Sequence, residues 1–240
     1  MTKANWGGLA STLTSKLKLQ STPIAITFSR EAPGNAPRFA SRMPDPMPDG
    51  RTGAVPAGCV FWMKAADGTF STVAEDHGNC SVGSVTHGFK TLEEVSSNSD
   101  VAALLESGWV TMDVVPHIPV VKTKHPFVTY GPLEQATVDP DVVLIRVNAT
   151  QLMILHDALP QLRFEGKPQC HIIAIAKEEE QIAASVGCML SRVRTGMSPN
   201  EMTCAIPASK LADVVEALGR TCAADGRVAT YAAADSKRFA

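Results

Sequence analysis

Residues 140–159 read PDVVLIRVNATQLMILHDAL. The first part, 141–148, holds an apolar run of strand length from Val142 to Val147, broken only by Arg146, the pattern of a strand buried on both faces. The second part changes period. Leu152, Leu155, His156 and Leu159 return at helical steps and share one side. A buried strand running straight into an amphipathic helix predicts an α/β or α+β chain.

Working outward, the same two patterns recur. Asn5 is placed to cap a first helix whose stripe is Trp6, Leu9, Ala10, Leu13 and Leu17. Ile24–Phe28 reads as a strand, 59–66 as a short helix and 69–74 as a strand. Thr91 and Glu94 form a capping-box pattern, and a helix is expected over 100–107. Residues 109–131 are rich in valine, threonine and proline and read as extended. On the C-terminal side, 168–176 reads as a strand and 181–186 as a helix. Met202, Cys204 and Ile206 alternate with Thr203 and Ala205, as in a half-buried strand. A last helix begins near Ser209 with Leu211, Val214, Val215, Leu218 and Cys222 on one stripe.

The 240 residues carry a formal charge of −2, 45% hydrophobic residues and 19% charged residues. That excludes disorder, and without a basic stripe a nucleic-acid partner has no electrostatic support. No apolar run approaches the ~20 residues that span a bilayer. Lys16 and Lys18 follow the first apolar residues instead of preceding them, unlike a signal peptide. A soluble, cytoplasmic protein is expected, with no membrane partner. In a reducing compartment its six cysteines point to metal or catalytic use more than to disulfides.

Four of them form two pairs, Cys59 with Cys80 and Cys170 with Cys188, each pair about twenty residues apart. They stand beside glycines or strand-like runs: AGCVFW, GNCSVGS, PQCHIIAIA and VGCMLSR. The two halves, 20–130 and 131–225, resemble each other in this respect. One compact domain is expected over 1–240, its halves related by a pseudo-twofold duplication, with mixed sheets and outer helices. Such an axis brings the four thiols together between the halves. Cys204 and Cys222 have a simpler role as core residues on a strand face and a helix stripe.

Thiolates at glycine-rich turns are suited to an iron–sulfur cluster, because soft sulfur holds the iron and backbone N–H groups face the sulfurs. The close C-x2-C-x2-C run is absent. Zinc is the alternative metal, with His77 three residues before Cys80 and His87 seven after it. A metal-free thiol enzyme is the third reading, with Cys80 beside His77 or His87, or Cys188 one turn before Arg192. No P-loop, GxGxxG, HExxH or GxSxG motif appears. The proline-rich segment 31–58 runs into Cys59 and is placed to cover what Cys59 touches.

The chain resembles a bacterial and archaeal family of uncharacterised conserved proteins, domain of unknown function one-six-nine. The resemblance rests on the TPIAITF-like strand, GCVFWMKAADG, GNCSVGSVTHGF, YGPLE, residues 140–159, KPQCHIIAIA, SVGCMLSRV and AIPASKLADVVEAL. The family pattern has cysteines at the positions of Cys59, Cys80 and Cys170, and a Gly-Cys pair followed by arginine at Gly187, Cys188 and Arg192. Here Met189 and Leu190 stand where the family has a small residue. The resemblance implies a cysteine-ligated centre at Cys59, Cys80, Cys170 and Cys188 and supplies no activity. The expected function is a [4Fe–4S] protein in redox or small-molecule conversion, with a redox protein or a small molecule as partner. A non-enzymatic module holding zinc or a metallocofactor is the alternative. His77, His87 and Arg192 are the candidates for roles around the centre.

Overall fold

The elements form where apolar periodicity and capping coincide. The computed structural model describes residues 5–39, 58–78 and 80–239. In chain order they hold α1 (Trp6–Leu17), β1 (Ile24–Ser29), α2 (Gly58–Lys64), β2 (Phe70–Thr72), α3 (Ser81–Thr86), α4 (Leu92–Val95), α5 (Ser99–Glu106) and β3 (Phe127–Pro132). There follow β4 (Val142–Val147), α6 (Ala149–Ala158), β5 (Arg163–Glu165), α7 (His171–Glu178), β6 (Ala183–Ser185), α8 (Met189–Thr195), β7 (Met202–Pro207) and α9 (Leu211–Ser236). Asn5 caps α1 by accepting from Gly8 N at 2.9 Å. Thr91 and Glu94 close their box around α4, with Thr91 N donating to Glu94 at 2.7 Å and Glu94 N to Thr91 at 3.2 Å. Asn148 and Gln151 do the same for α6.

The strands form one seven-stranded mixed sheet in the order β2-β3-β1-β4-β7-β6-β5. All neighbours are antiparallel except β5 and β6, which are parallel. Alternation along β4 divides the core. Val143, Ile145 and Val147 face the layer of α1, α6 and α9, where Leu13, Leu155 and Leu211 are buried. Val142 and Leu144 face α2 and α7, where Phe61, Ile172 and Ile173 are buried. Because both sheet faces are covered, β7 is buried throughout from Thr203, rather than half-buried as its alternation suggests.

The expected halves are therefore two blocks of a single sheet, joined where β1 pairs with β4. The pairing order repeats: β1-β3-β2 in one block, β4-β7-β6 in the other, all antiparallel. A duplication is not established by this, since α4 and α5 have no counterpart between α8 and β7.

Three further local expectations are overturned. Residues 171–178 are the helix α7, with Ile172–Ala176 at most 1% exposed. A helix apolar on every side carries no period that separates it from a buried strand. Residues 183–185 are a strand, because their alanines fit the crowded space between β5 and β7. Between 109 and 126 there is a single 3-10 turn and otherwise irregular chain, with strand only from Phe127. Segment 40–57 lies outside the described residues.

Candidate functional site at four helix starts

All four paired cysteines stand at the beginning of a helix on the same face of the sheet. Cys59 is the second residue of α2, while Cys80, Cys170 and Cys188 immediately precede α3, α7 and α8. Cys59 and Cys170 open the helices that lead into β2 and β6. Cys80 and Cys188 open the next α-helices after those strands. The helices then pack across the halves, α2 against α8 and α3 against α7.

Polar contacts fix the turns at Cys80, Cys170 and Cys188. Asp100 accepts from Ser81 N at 2.8 Å and Ser81 Oγ at 2.7 Å, which caps α3 from outside and pins the turn after Cys80. Gln169 Nε2 donates to Ser191 Oγ at 2.5 Å, which ties the Cys170 turn to α8. Beside Cys188, the Arg192 guanidinium donates to the carbonyls of Val186 at 2.7 Å, Glu201 at 2.8 Å and Ser198. Arg192 thus clamps the backbone around Cys188, which leaves little of its donor fork to activate a thiolate.

Cys170 feels the other three thiols electrostatically. Burial pushes the Cys170 thiol well above its usual range, and the charges of Cys80, Cys188 and Cys59 each push it further. Only the contact with Thr86 Oγ1, at 3.7 Å, opposes them. All three partners therefore lie within electrostatic reach of Cys170. A raised thiol is a poor nucleophile at neutral pH, which counts against thiol catalysis at Cys170.

Cys204 lies in the other layer, facing α1 and α9, and burial pushes its thiol up to about 12. That agrees with its expected core role. Cys222 is only partly buried, with its Sγ 3.5 Å from the Lys16 carbonyl, so it sits at the edge of α9 and not in the core. His156 is exposed on α6.

His77 and His87 are buried neighbours, their ring centroids 5.2 Å apart. Thr72 Oγ1 donates to the Val128 carbonyl at 3.1 Å, so His77 Nε2 supplies the proton of its 3.0 Å bond to that hydroxyl. His87 Nδ1 donates to the Gly83 carbonyl at 2.8 Å. Burial and the His87 charge hold His77 well below the usual range, and burial brings His87 down to about 4. Both are neutral rings packed among Phe28, Phe61 and Phe89.

Further residues belong to this region. Trp62 Nε1, Tyr130 Oη, Gln169 Oε1 and His171 Nε2 are buried without a hydrogen-bond partner among the described residues. Tyr130 is held protonated by burial and by the charge of Cys59 nearby. Trp62 follows Cys59 by one helical turn, and Gln169 and His171 flank Cys170. Their place in the sequence beside cysteines was the available signal for three of them. Tyr130 gave none, since it reaches the site from β3.

Together the fold and the site define an α/β protein with four thiols gathered on one face of a mixed sheet. The chain belongs to the DUF169 family, described as uncharacterised ArCR, whose pattern matches residues 12–217. No curated protein and no solved structure matches it.

Proposed function

We propose that Cys59, Cys80, Cys170 and Cys188 hold one [4Fe–4S] cluster, and that the protein works in redox chemistry as an electron carrier or on a small molecule at the cluster. The observation that carries this reading is the placement of all four cysteines at helix starts on one face of the sheet, with α2 packed on α8 and α3 on α7. Buried like-charged thiolates repel one another, and a bound cationic metal centre removes that cost.

The orphaned donors fit the same group. Trp62 Nε1–H and Tyr130 O–H have no oxygen or nitrogen to bond among the described residues, and thiolate or sulfide sulfur accepts such bonds. Zinc fits less well. A tetrahedral zinc with ~2.3 Å Zn–S bonds needs its sulfurs about 3.8 Å apart. Among the described residues no group of three or more Cys, His, Asp or Glu side chains is close enough to hold a single ion. A polynuclear cluster spreads its ligands wider.

When bound, the cluster supplies one-electron transfer. The chain's part is to orient four thiolates from helix starts, to exclude water with Phe61, Trp62 and Ile172, and to hold N–H and O–H donors around the sulfurs. No helix among the described residues is long and apolar enough to cross a membrane, which accords with the proposal of a cytoplasmic protein.

The test is an absorption spectrum with iron, sulfide and zinc analysis on protein purified without oxygen. The expected result is broad absorption near ~400 nm and about four irons and four sulfides per chain. Single Cys→Ser changes at the four positions each lower the iron content, and Cys204→Ser and Cys222→Ser do not. Stoichiometric zinc, or equal loss at all six cysteines, overturns the assignment.

A further inference from the structure

Next to the thiols, and separate from them, lies a cavity of about 810 Å³. It is enclosed by α3, α4, α5, the irregular chain 108–118 and the segment 163–171. Its volume suits a drug-sized ligand. None of the four paired cysteines is among its lining residues, but their chain neighbours Ser81 and His171 are. The cavity therefore abuts the thiol site through one residue on each side.

Val85, Val95, Val101, Leu104, Trp109 and Val115 make most of the wall apolar. Its charged side chains are Glu93, Arg163, Glu165 and Lys167, with His117 and His171 the titratable rings. Arg163 pairs with Glu165 at 2.6 Å and with Glu179 at 2.9 Å. Lys167 Nζ sits 4.8 Å from the centre of the Trp109 ring. A carboxylate head at Glu165 and His171 would lose its water beside a carboxylate of the same sign, and pairing with Lys167 would draw that ammonium off the Trp109 ring.

One polar position on that segment is incompletely used. His171 Nδ1 and Glu165 Oε2 stand 3.8 Å apart, beyond direct hydrogen-bonding distance, and both residues line the cavity. His171 is 9% exposed, and its other nitrogen, Nε2, has no partner among the described residues. A hydroxyl placed between Nδ1 and Oε2 can donate to one and accept from the other.

We infer that this cavity binds a neutral, largely apolar small molecule with one hydroxyl group, its polar end at Glu165 and His171 beside the Cys170 turn. The inference goes beyond the redox reading and does not rest on it, because no metal ligand contributes to the cavity.

The test is calorimetric titration of the full-length protein, as purified without oxygen, with 2-naphthol and with 2-naphthoate at pH 7. Expected is saturable binding of one 2-naphthol per chain, with 2-naphthoate weaker by about tenfold or more. Val101→Trp and Val115→Trp, two partly exposed wall positions on different segments, each weaken 2-naphthol binding by about tenfold or more by filling the cavity. Val228→Trp, on the exposed part of α9, leaves it unchanged. Circular dichroism melts establish that the variants compared are folded. Absence of saturable binding overturns the inference, as does equal affinity for naphthoate or binding unaffected by both filling variants. Iron and sulfide are measured on the same samples. Naphthol binding without iron fails the cluster reading alone, and iron without naphthol binding fails this one alone.

Discussion

The guanidinium of Arg192 occupies the space that a side chain at Gly187 would need. A Cβ on Gly187 would lie 2.6 Å from Arg192 Nη2 and 3.1 Å from Cζ, and Gly187 itself has φ +118°. Both the backbone conformation and the close approach require glycine. The pair makes the Gly-Cys turn rigid, with Arg192 tying three carbonyls around it. Gly187→Ala is expected to cost about 1–3 kcal/mol from backbone strain, with the displaced guanidinium adding to it. Arg192→Lys is expected to destabilise as well, because an ammonium cannot reproduce the planar fork. Urea denaturation measures both. Arg220→Lys, whose side chain is 69% exposed, is the neutral control. If Gly187→Ala unfolds at the wild-type midpoint, the clamp has no such role.

Cys204 and Cys222 separate burial from ligation. Cys204 is fully buried on the sheet face away from the four paired thiols. Cys204→Ser puts a hydroxyl where the surroundings are apolar, at an expected cost of about 1–3 kcal/mol. Cys222→Ser, at the edge of α9, is expected to stay within about 0.5 kcal/mol of wild type. Equilibrium unfolding gives both numbers. A Cys222→Ser penalty as large as that of Cys204→Ser would place the α9 thiol in the core after all.

Much of this was legible in the chain itself. Cys59, Cys80 and Cys188 stand beside glycines in the sequence, and those positions are helix starts on one face of the sheet, whereas Cys170 read as part of a strand and is a helix start too. The strand and helix of 140–159 follow their periods, as does the Thr91–Glu94 cap. What was not legible depends on neighbours distant in sequence. Ile172–Ala176 is apolar on every side because α7 is enclosed by the sheet and by α3, so its period carried no signal. Ala183–Ser185 prefers helix locally and is held as a strand by two flanking strands. Arg192 four residues after Cys188 read as a charge acting on sulfur, whereas its bonds go to carbonyls that only the folded loop brings within reach.

Acid should destabilise the protein through His77 and His87. Both are neutral and buried, with pKa values below the ordinary 6.5, His87 at about 4. In the unfolded chain both take up protons as pH falls below ~6.5, while the folded state resists. The unfolded state then binds more protons, so stability is full above pH ~6.5 and is lost towards pH ~4, by about 1.4 kcal/mol per pH unit for each ring. Urea midpoints at pH 7.5, 6 and 5 test this. His87→Phe, which keeps a ring against Phe28 and Phe89, should flatten the dependence. A midpoint unchanged between ~pH 7 and 5 would falsify the assignment of two buried neutral imidazoles.

Tyr130 offers the sharpest test of what the thiols hold. Its hydroxyl is buried, protonated, near Cys59, and without a partner among the described residues. Leaving a donor unbonded there costs free energy, so in protein without metal Tyr130→Phe should be neutral or stabilising, by up to about 1–3 kcal/mol. In protein carrying a cluster the effect should be of another kind. A hydroxyl donating to sulfur favours the reduced state, which carries more negative charge, and its removal should lower the reduction potential. Trp62→Phe should act in the same direction. Voltammetry of the loaded protein and urea unfolding of the metal-free protein together decide the matter. A potential unmoved by both substitutions would place neither donor at the sulfurs, and a marked loss of stability in the metal-free Tyr130→Phe protein would mean that the hydroxyl already has a partner there.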